Sequence, residues 1–293
     1  DVPTACSAVP ILRDGLPVAA AELMDRAAMA SVEDEAGMPD YLAGLKKGVT
    51  ALLVETRATS AKKLKDQIEK ISAALGKIKT VRPIEFTDNP AEYTIYWKIR
   101  KGLFPAIGAM RETGTTVIIE DVAFPPQHLA AAALDLQNLF KKYRYEEAII
   151  FGHALEGNLH FVFTQDFSQE EQVVRYSDFM DEVVNMVVDK YDGSLKAEHG
   201  TGRNMAPFVE KEWGTAAYTL MKAIKNLFDP EGLLNPGVII NDDTEAHIKN
   251  LKSLPATHEL VDKCIECGFC EPVCPSRNLS FTPRQRIVSR REI

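Results

Sequence analysis

An α+β fold, with a ferredoxin-like antiparallel sheet and helices packed on one side of it, is predicted by two observations. Runs rich in β-branched residues alternate with helical patterns along most of the chain, until the last two runs follow each other directly. The connection between those two is too short for a crossover helix, so they pair antiparallel as a hairpin. A change of texture after Asn235-Pro236-Gly237, from periodic apolar segments to polar residues and prolines, adds a small C-terminal segment to the fold.

The elements follow in order. Strands are expected at Ala51–Glu55, Thr80–Phe86, Thr116–Val122, Glu147–His153 and Leu159–Thr164. Ser60 caps a helix that runs to Leu75 and stops at Gly76. Asn89-Pro90 opens a helix through Ile95, Ile99 and Leu103. Leu129–Tyr143 is helical and rich in alanine and leucine. Ser168-Gln-Glu-Glu171 reads as a capping box before a long amphipathic helix ending near Gly193. Pro207–Phe228 is a further long helix, closed by Asp229-Pro230, and Pro283–Ile293 is helix-like. The expected organisation is one domain over residues 1–242, a linker over 243–259 and a cysteine-rich segment over 260–293.

Composition narrows the function. At 293 residues and 45% apolar content the chain can bury a large core, and its 26% charged residues exclude disorder as the main class. A formal charge of −8 and a pI near 5.4 argue against nucleic acid or an anionic membrane as a partner over most of the surface. The longest uncharged run, Val122 to Leu134, is too short to span a bilayer and contains Pro125 and Pro126. No basic start followed by an apolar run opens the chain, so no signal peptide is expected. Four of the five cysteines fall between Cys264 and Cys274, a crowding that suits a metal centre in a reducing compartment better than a disulfide framework. Cytoplasmic residence is expected, and Cys6 stands apart as a small structural thiol.

Two patterns carry chemistry. His153 ends one strand of the hairpin and His160 begins the next, with Gly157-Asn158 supplying the turn, so two imidazoles stand side by side at the separation a metal site requires. Glu198, in Lys196-Ala-Glu-His-Gly-Thr-Gly202, is the natural third ligand, because Gly200 and Gly202 permit a bend that brings Glu198 and His199 into one site. Spacing alone leaves a purely structural role for these histidines open. The Gly200-x-Gly202 pair lacks the third glycine and the preceding strand of a dinucleotide fingerprint. The second pattern, Cys264-Ile-Glu-Cys267-Gly-Phe-Cys270-Glu-Pro-Val-Cys274-Pro275, has the spacing of a bacterial-ferredoxin 4Fe–4S run; zinc sites more often split into two pairs. In two-cluster ferredoxins the fourth cysteine of such a run ligates the other cluster, so a second iron–sulfur segment is an expected partner. Arg277, Arg284, Arg286, Arg290 and Arg291 make the following stretch locally basic.

The segments from His153 to His160, around Ala197-Glu198-His199-Gly200, and from Asp229 through Leu233-Leu234-Asn235-Pro236 to Gly237, occur in the order found in one family. Together they resemble the C-terminal (cap) domain of FAD-linked D-lactate and D-2-hydroxy-acid dehydrogenases, over about the first 240 residues. The resemblance implies His153, His160 and Glu198 as ligands of a divalent metal, zinc or manganese, and His199 as the catalytic base. It also implies Arg100 as the clamp for the carboxylate of a 2-hydroxy acid, and Asn235 as a candidate FAD contact. The family often places Gly-Asp-Gly-Asn between the histidines, whereas here Leu155-Glu156 stands for the first Gly-Asp, keeping the carboxylate and losing a glycine.

The residue types suit the reaction. A metal on the substrate hydroxyl lowers its pKa, a neutral histidine takes the proton near pH 7, and arginine grips a carboxylate with two parallel hydrogen bonds. The expected function is therefore part of a flavin-dependent dehydrogenase that oxidises D-lactate or a related D-2-hydroxy acid. FAD would be bound mainly by a domain outside this chain, so the chain alone is expected to be inactive. The 4Fe–4S segment implies a quinone or cytochrome-type acceptor, and with it peripheral association at the inner face of a membrane. Two alternatives stand beside this one. A metal-dependent hydrolase using His153, His160 and Glu198 would need no flavin, and a non-catalytic electron-transfer module would bind no metal at the histidines.

Overall fold

A computed structural model describes residues 1–252 and 254–293, with the side chains of 104–107, 109 and 110 outside the description. Helix α1 (Val2–Arg13) is followed by β1 (Ala20–Met24), α2 (Arg26–Ala30), β2 (Ala51–Glu55), α3 (Ala61–Leu75) and α4 (Pro90–Met110). Then come β3 (Thr116–Ala123), α5 (Leu129–Lys142), β4 (Ile149–His153), β5 (Asn158–Gln165), α6 (Glu170–Asn185), α7 (Gly202–Met205), α8 (Val209–Phe228) and α9 (Pro283–Arg291). The strands form one antiparallel sheet in the order β2-β1-β4-β5-β3.

Strand alternation divides the core into two faces. Leu23, Ile150, Phe161 and Phe163 turn toward α1, α5 and α6, where Phe179 is fully buried among Phe140, Tyr145 and Phe163. Met24, Ile149, Phe151 and Val162 turn the other way, toward α2 and α4. Helices thus cover both faces, not one, because α4 brings Ile99 and Leu103 across the second face. α3 packs on α1 through Ile71 and Leu75 against Ala8 and Leu12.

Several boundaries differ from the sequence expectation. Thr80–Phe86 is not a strand: Pro83 removes a ladder donor, and Val81 is exposed with no sheet beside it. Its place in the sheet is taken by β1, a short segment between a helix and a helix cap. α1 was hidden by Pro3 and Pro10; Pro3 lies in the first turn, where a missing N–H costs nothing, and the Asp1 carboxylate caps the helix at Thr4 N. The capping box at Ser168 does not form. α6 starts one residue after Gln169, which makes no side-chain cap, and Ser168 N donates instead to Asp166 Oδ1 at 2.7 Å. α8 is interrupted at Gly214. The β4–β5 hairpin turns through Ala154–Glu156 and Gly157, with Asn158 already in β5. Gly157 has φ +74°, and a Cβ there would lie 2.0 Å from Phe124 O, so the turn demands glycine.

Parts of the stretch after residue 242 lie against the sheet domain: Ala246 and His247 are buried, and Leu254 bridges to Gly114. Among the described residues, no helix is long and apolar enough to cross a membrane.

Candidate functional site

Register gathers the polar residues at one end of the α4-covered face. Glu22 on β1 stands directly opposite His153 on β4, and Asp121 on β3 directly opposite His160 on β5. Each of these four side chains sits where strand alternation points it toward the face that α4 covers, and Arg100 reaches in from α4. The segment before α7 then brings Glu198 and His199 over the row. It is pinned there by Asp121, whose Oδ2 accepts from the backbone N–H of Glu198 at 2.6 Å and of His199 at 3.3 Å. The bend is completed at Gly200, with φ +75°. Glu198 and His199 therefore face one site although they are neighbours in sequence.

The distances converge. Glu198 Oε1 lies 2.9 Å from His160 Nε2, 3.5 Å from His153 Nε2 and 3.8 Å from His199 Nε2. His153, His160 and Glu198 form a set whose donor atoms all lie within 4.8 Å of one another, as do Asp121, His160 and His199. Two imidazoles and a carboxylate are a donor set that zinc or manganese accepts. The surroundings prepare the lone pairs for a cation. Glu22 Oε1 sits 2.6 Å from His153 Nδ1, which places the ring proton on Nδ1 and leaves Nε2 free toward Glu198. His160 is buried, with 4% of its side chain exposed, and burial first, then the charges of His199 and Arg100, pushes its pKa down to about 4, so it stands neutral.

Neighbouring groups answer to the same forces. Burial works to raise the Glu22 carboxyl, but the His153 hydrogen bond and the Arg100 charge outweigh it and hold Glu22 below the usual range. The Glu22 hydrogen bond, opposed by burial, holds His153 above its ordinary value. Burial would raise Asp121 too, yet the N–H of Glu198, Lys196 and His199 keep it low. Glu120 faces the opposite side of β3, where Lys196 and Asn204 bond it; burial dominates there and raises its pKa.

Arg100 donates from Nε to Glu22 Oε2 at 2.8 Å and lies over the Phe151 ring, 4.7 Å from its centroid. Its two terminal nitrogens have no hydrogen-bond partner among the described residues, so a carboxylate could still be gripped. Asn235 is exposed, with φ +42°, in a loop that Arg203 ties back at Pro236 O. The cysteines are not gathered: among the described residues no three of Cys264, Cys267, Cys270 and Cys274 approach closely enough to share an ion. Cys264 Sγ accepts from Glu266 N at 3.4 Å, and Cys274 Sγ lies 3.3 Å from Ser276 Oγ.

Glu22 and Asp121 were missed from sequence. Their signal lies in strand pairing, and only a correct sheet order would have put them beside His153 and His160.

Residues 1–239 match the family described as FAD linked oxidases, C-terminal domain. Glycolate oxidase subunit GlcD of Bacillus subtilis (strain 168) is 26% identical over 227 residues, covering 78% of this chain and 46% of that protein. The mitochondrial D-lactate dehydrogenase (cytochrome) of Arabidopsis thaliana is 35% identical over 161 residues, 53% of this chain and 27% of that one. A D-2-hydroxyglutarate dehydrogenase of Pantoea ananatis (strain AJ13355) is 27% identical over 270 residues, 82% and 26%. The chain thus spans about half the length, or less, of these curated relatives. Among solved structures, 4-ethylphenol oxidase from Gulosibacter chungangensis superposes with a TM-score of 0.56 at 15% identity, over 83% of this chain and 52% of that one, which bears on the fold alone.

Proposed function

The chain belongs to the FAD-linked oxidases through their C-terminal domain, and from that premise we propose that residues 1–242 form the substrate- and metal-binding part of a flavin-dependent dehydrogenase of D-2-hydroxy acids. D-lactate is the substrate put first, in line with relatives named for D-lactate, D-2-hydroxyglutarate and glycolate. The observation that carries the reading is the approach of His153, His160 and Glu198 to one point with His199 beside them.

In this reading His153, His160 and Glu198 would hold a zinc or manganese ion. When bound, the metal supplies a Lewis acid that lowers the pKa of an alcohol, and FAD supplies a two-electron acceptor. The chain's own residues do the rest. Arg100 binds the substrate carboxylate through its terminal nitrogens while Phe151 supports the guanidinium from one side. His199, whose Nδ1 lies 3.2 Å from Asp121 Oδ1, takes the hydroxyl proton at Nε2.

The run from Cys264 to Cys274 enters this proposal through its spacing alone, as a 4Fe–4S segment over residues 260–293 joined by 243–259, and the oxidation half-reaction does not involve it. Cytoplasmic residence, near a quinone or cytochrome-type acceptor at the membrane's inner face, belongs to the same reading.

Anaerobic addition of D-lactate to the flavin-loaded protein in which this chain is joined to the FAD-binding domain that the reading requires tests it. Flavin absorbance at ~450 nm should bleach in the wild type, and His199→Asn should slow bleaching by about 10²–10⁴-fold, the usual contribution of a general base. A flavin that stays oxidised with D-lactate, D-2-hydroxyglutarate and glycolate alike would remove the assignment.

A further inference from the structure

Glu22 is a buried carboxylate that belongs to no ligand set. Its side chain is 5% exposed, and each of its oxygens is committed to a different functional group. Oε1 lies 2.6 Å from His153 Nδ1, and Oε2 accepts from Arg100 Nε at 2.8 Å. Charge-assisted hydrogen bonds of this length are the strong kind, and the Glu22 end of both is buried. The carboxylate is also fixed from below, since β1 pairs Glu22 with His153 in register.

We propose that Glu22 is the positioning residue that holds the metal side and the carboxylate side of the site in one geometry. The proposal rests on the metal and clamp roles given above to His153 and Arg100. On the metal side, Glu22 keeps the His153 proton on Nδ1, so the lone pair of Nε2 faces Glu198 Oε1, 3.5 Å away. On the other side it binds Arg100 through Nε alone, which fixes the guanidinium plane against Phe151 and leaves the two-nitrogen edge for a planar carboxylate. One side chain thereby sets the angle between the bound hydroxyl and the bound carboxylate of a 2-hydroxy acid, two groups on adjacent carbons. Without Glu22 the His153 ring is free to turn over and Arg100 loses its anchor.

The full chain, with Cys264, Cys267, Cys270 and Cys274 replaced by Ser so that zinc reports on the histidine site, is tested with no further change (the wild type below), and with Glu22→Gln, Arg100→Leu, or Glu22→Leu combined with Arg100→Leu. The combined variant removes both charges, so folding is not penalised by a stranded guanidinium, and circular dichroism checks each chain. Zinc affinity is read by competition with a chromophoric chelator, and the tautomer of His153 by ¹⁵N NMR of metal-free, histidine-labelled chain, with His153→Asn giving the assignment. The expected result is an Nδ1–H tautomer in wild type and in Arg100→Leu, with equal zinc affinity in these two. Glu22→Gln and the combined variant should bind zinc about 10–100-fold more weakly, and the combined variant should show a tautomer mixture. A combined variant that keeps the wild-type tautomer and zinc affinity would overturn the role of Glu22. If the wild type binds no zinc, the metal reading of the site falls, and the tautomer comparison still decides whether Glu22 orients His153.

Discussion

His153 and His160 share a hairpin but not an environment: 42% of one side chain is exposed against 4% of the other. His160 therefore loses its positive charge to burial, while His153 is steered by Glu22. In a chain with Cys264, Cys267, Cys270 and Cys274 replaced by Ser, replacing His160 by alanine should abolish stoichiometric zinc binding, read by elemental analysis after dialysis, and should also leave a cavity between Phe151 and His199. Cys6 presents the opposite case of a residue with nothing to do. It is fully buried in the main core, and burial pushes its thiol up to about 12. Iodoacetamide at ~pH 8 should label exposed Cys267 and Cys270 on the folded, cluster-free chain and reach Cys6 only after denaturation, as mass spectrometry of the peptides would report; equal labelling of Cys6 in the folded chain would contradict its packing. At this scale the sequence was legible where residue type and spacing act locally, as at His153, His160 and Glu198-His199. It was silent at Glu22 and Asp121, whose partners are brought to them by β1–β4 and β3–β5 pairing across long stretches of chain.

α3, α5, β2, β3, β4 and β5 could be read from periodicity because each is a local pattern with a cap or breaker at its end. β1 could not, since a five-residue strand ending in a helix cap carries too little pattern. Asp25 performs that junction: Oδ1 caps α2 at Ala28 N at 2.7 Å, and Oδ2 accepts from Ile150 N at 2.8 Å, in β4. Burial raises its pKa to about 6 in spite of these two donors. Since the folded value lies above the unfolded one, near 4, the native state holds the extra proton between ~pH 4 and ~pH 6. Stability is then greatest below this window and falls as pH rises through it, by up to about 3 kcal/mol from this group. Urea unfolding of wild type and Asp25→Asn across pH 4–7 should show that loss in the wild type and a flatter profile in the variant; parallel profiles would mean that Asp25 titrates normally. On the other face, Phe179→Ala should cost about 3–5 kcal/mol, because its ring meets Phe140, Tyr143, Tyr145, Phe161 and Phe163 with no room to collapse.

The molecule assembles its site from distant chain segments, with β1, α4, the β4–β5 hairpin and the Glu198 loop each giving one part. The fold class followed from element order, while the coverage of both sheet faces did not, because nothing local tells which side α4 will take. The cysteine segment is fastened to this assembly by one buried arginine, Arg111, which donates to Thr115 O, Asp262 O and Cys264 O, while Arg291 in α9 ties Cys264 O and Glu266 together within the segment. Arg111→Ala should release that segment, seen as faster trypsin cleavage near Lys263 with the sheet and its helices left intact; unchanged cleavage would assign the fastening elsewhere. The proposed histidine site and the cysteine run both offer donors that zinc accepts, and where one zinc ion goes supplies the sharpest test. X-ray absorption at the zinc edge, on chain loaded with one equivalent of zinc, reads the ligand atoms directly. The account predicts imidazole nitrogens and carboxylate oxygen at ~2.0–2.2 Å, lost in Glu198→Gln. A shell of sulfur at ~2.3 Å, unchanged in that variant, would place the metal on the cysteines and contradict the histidine site.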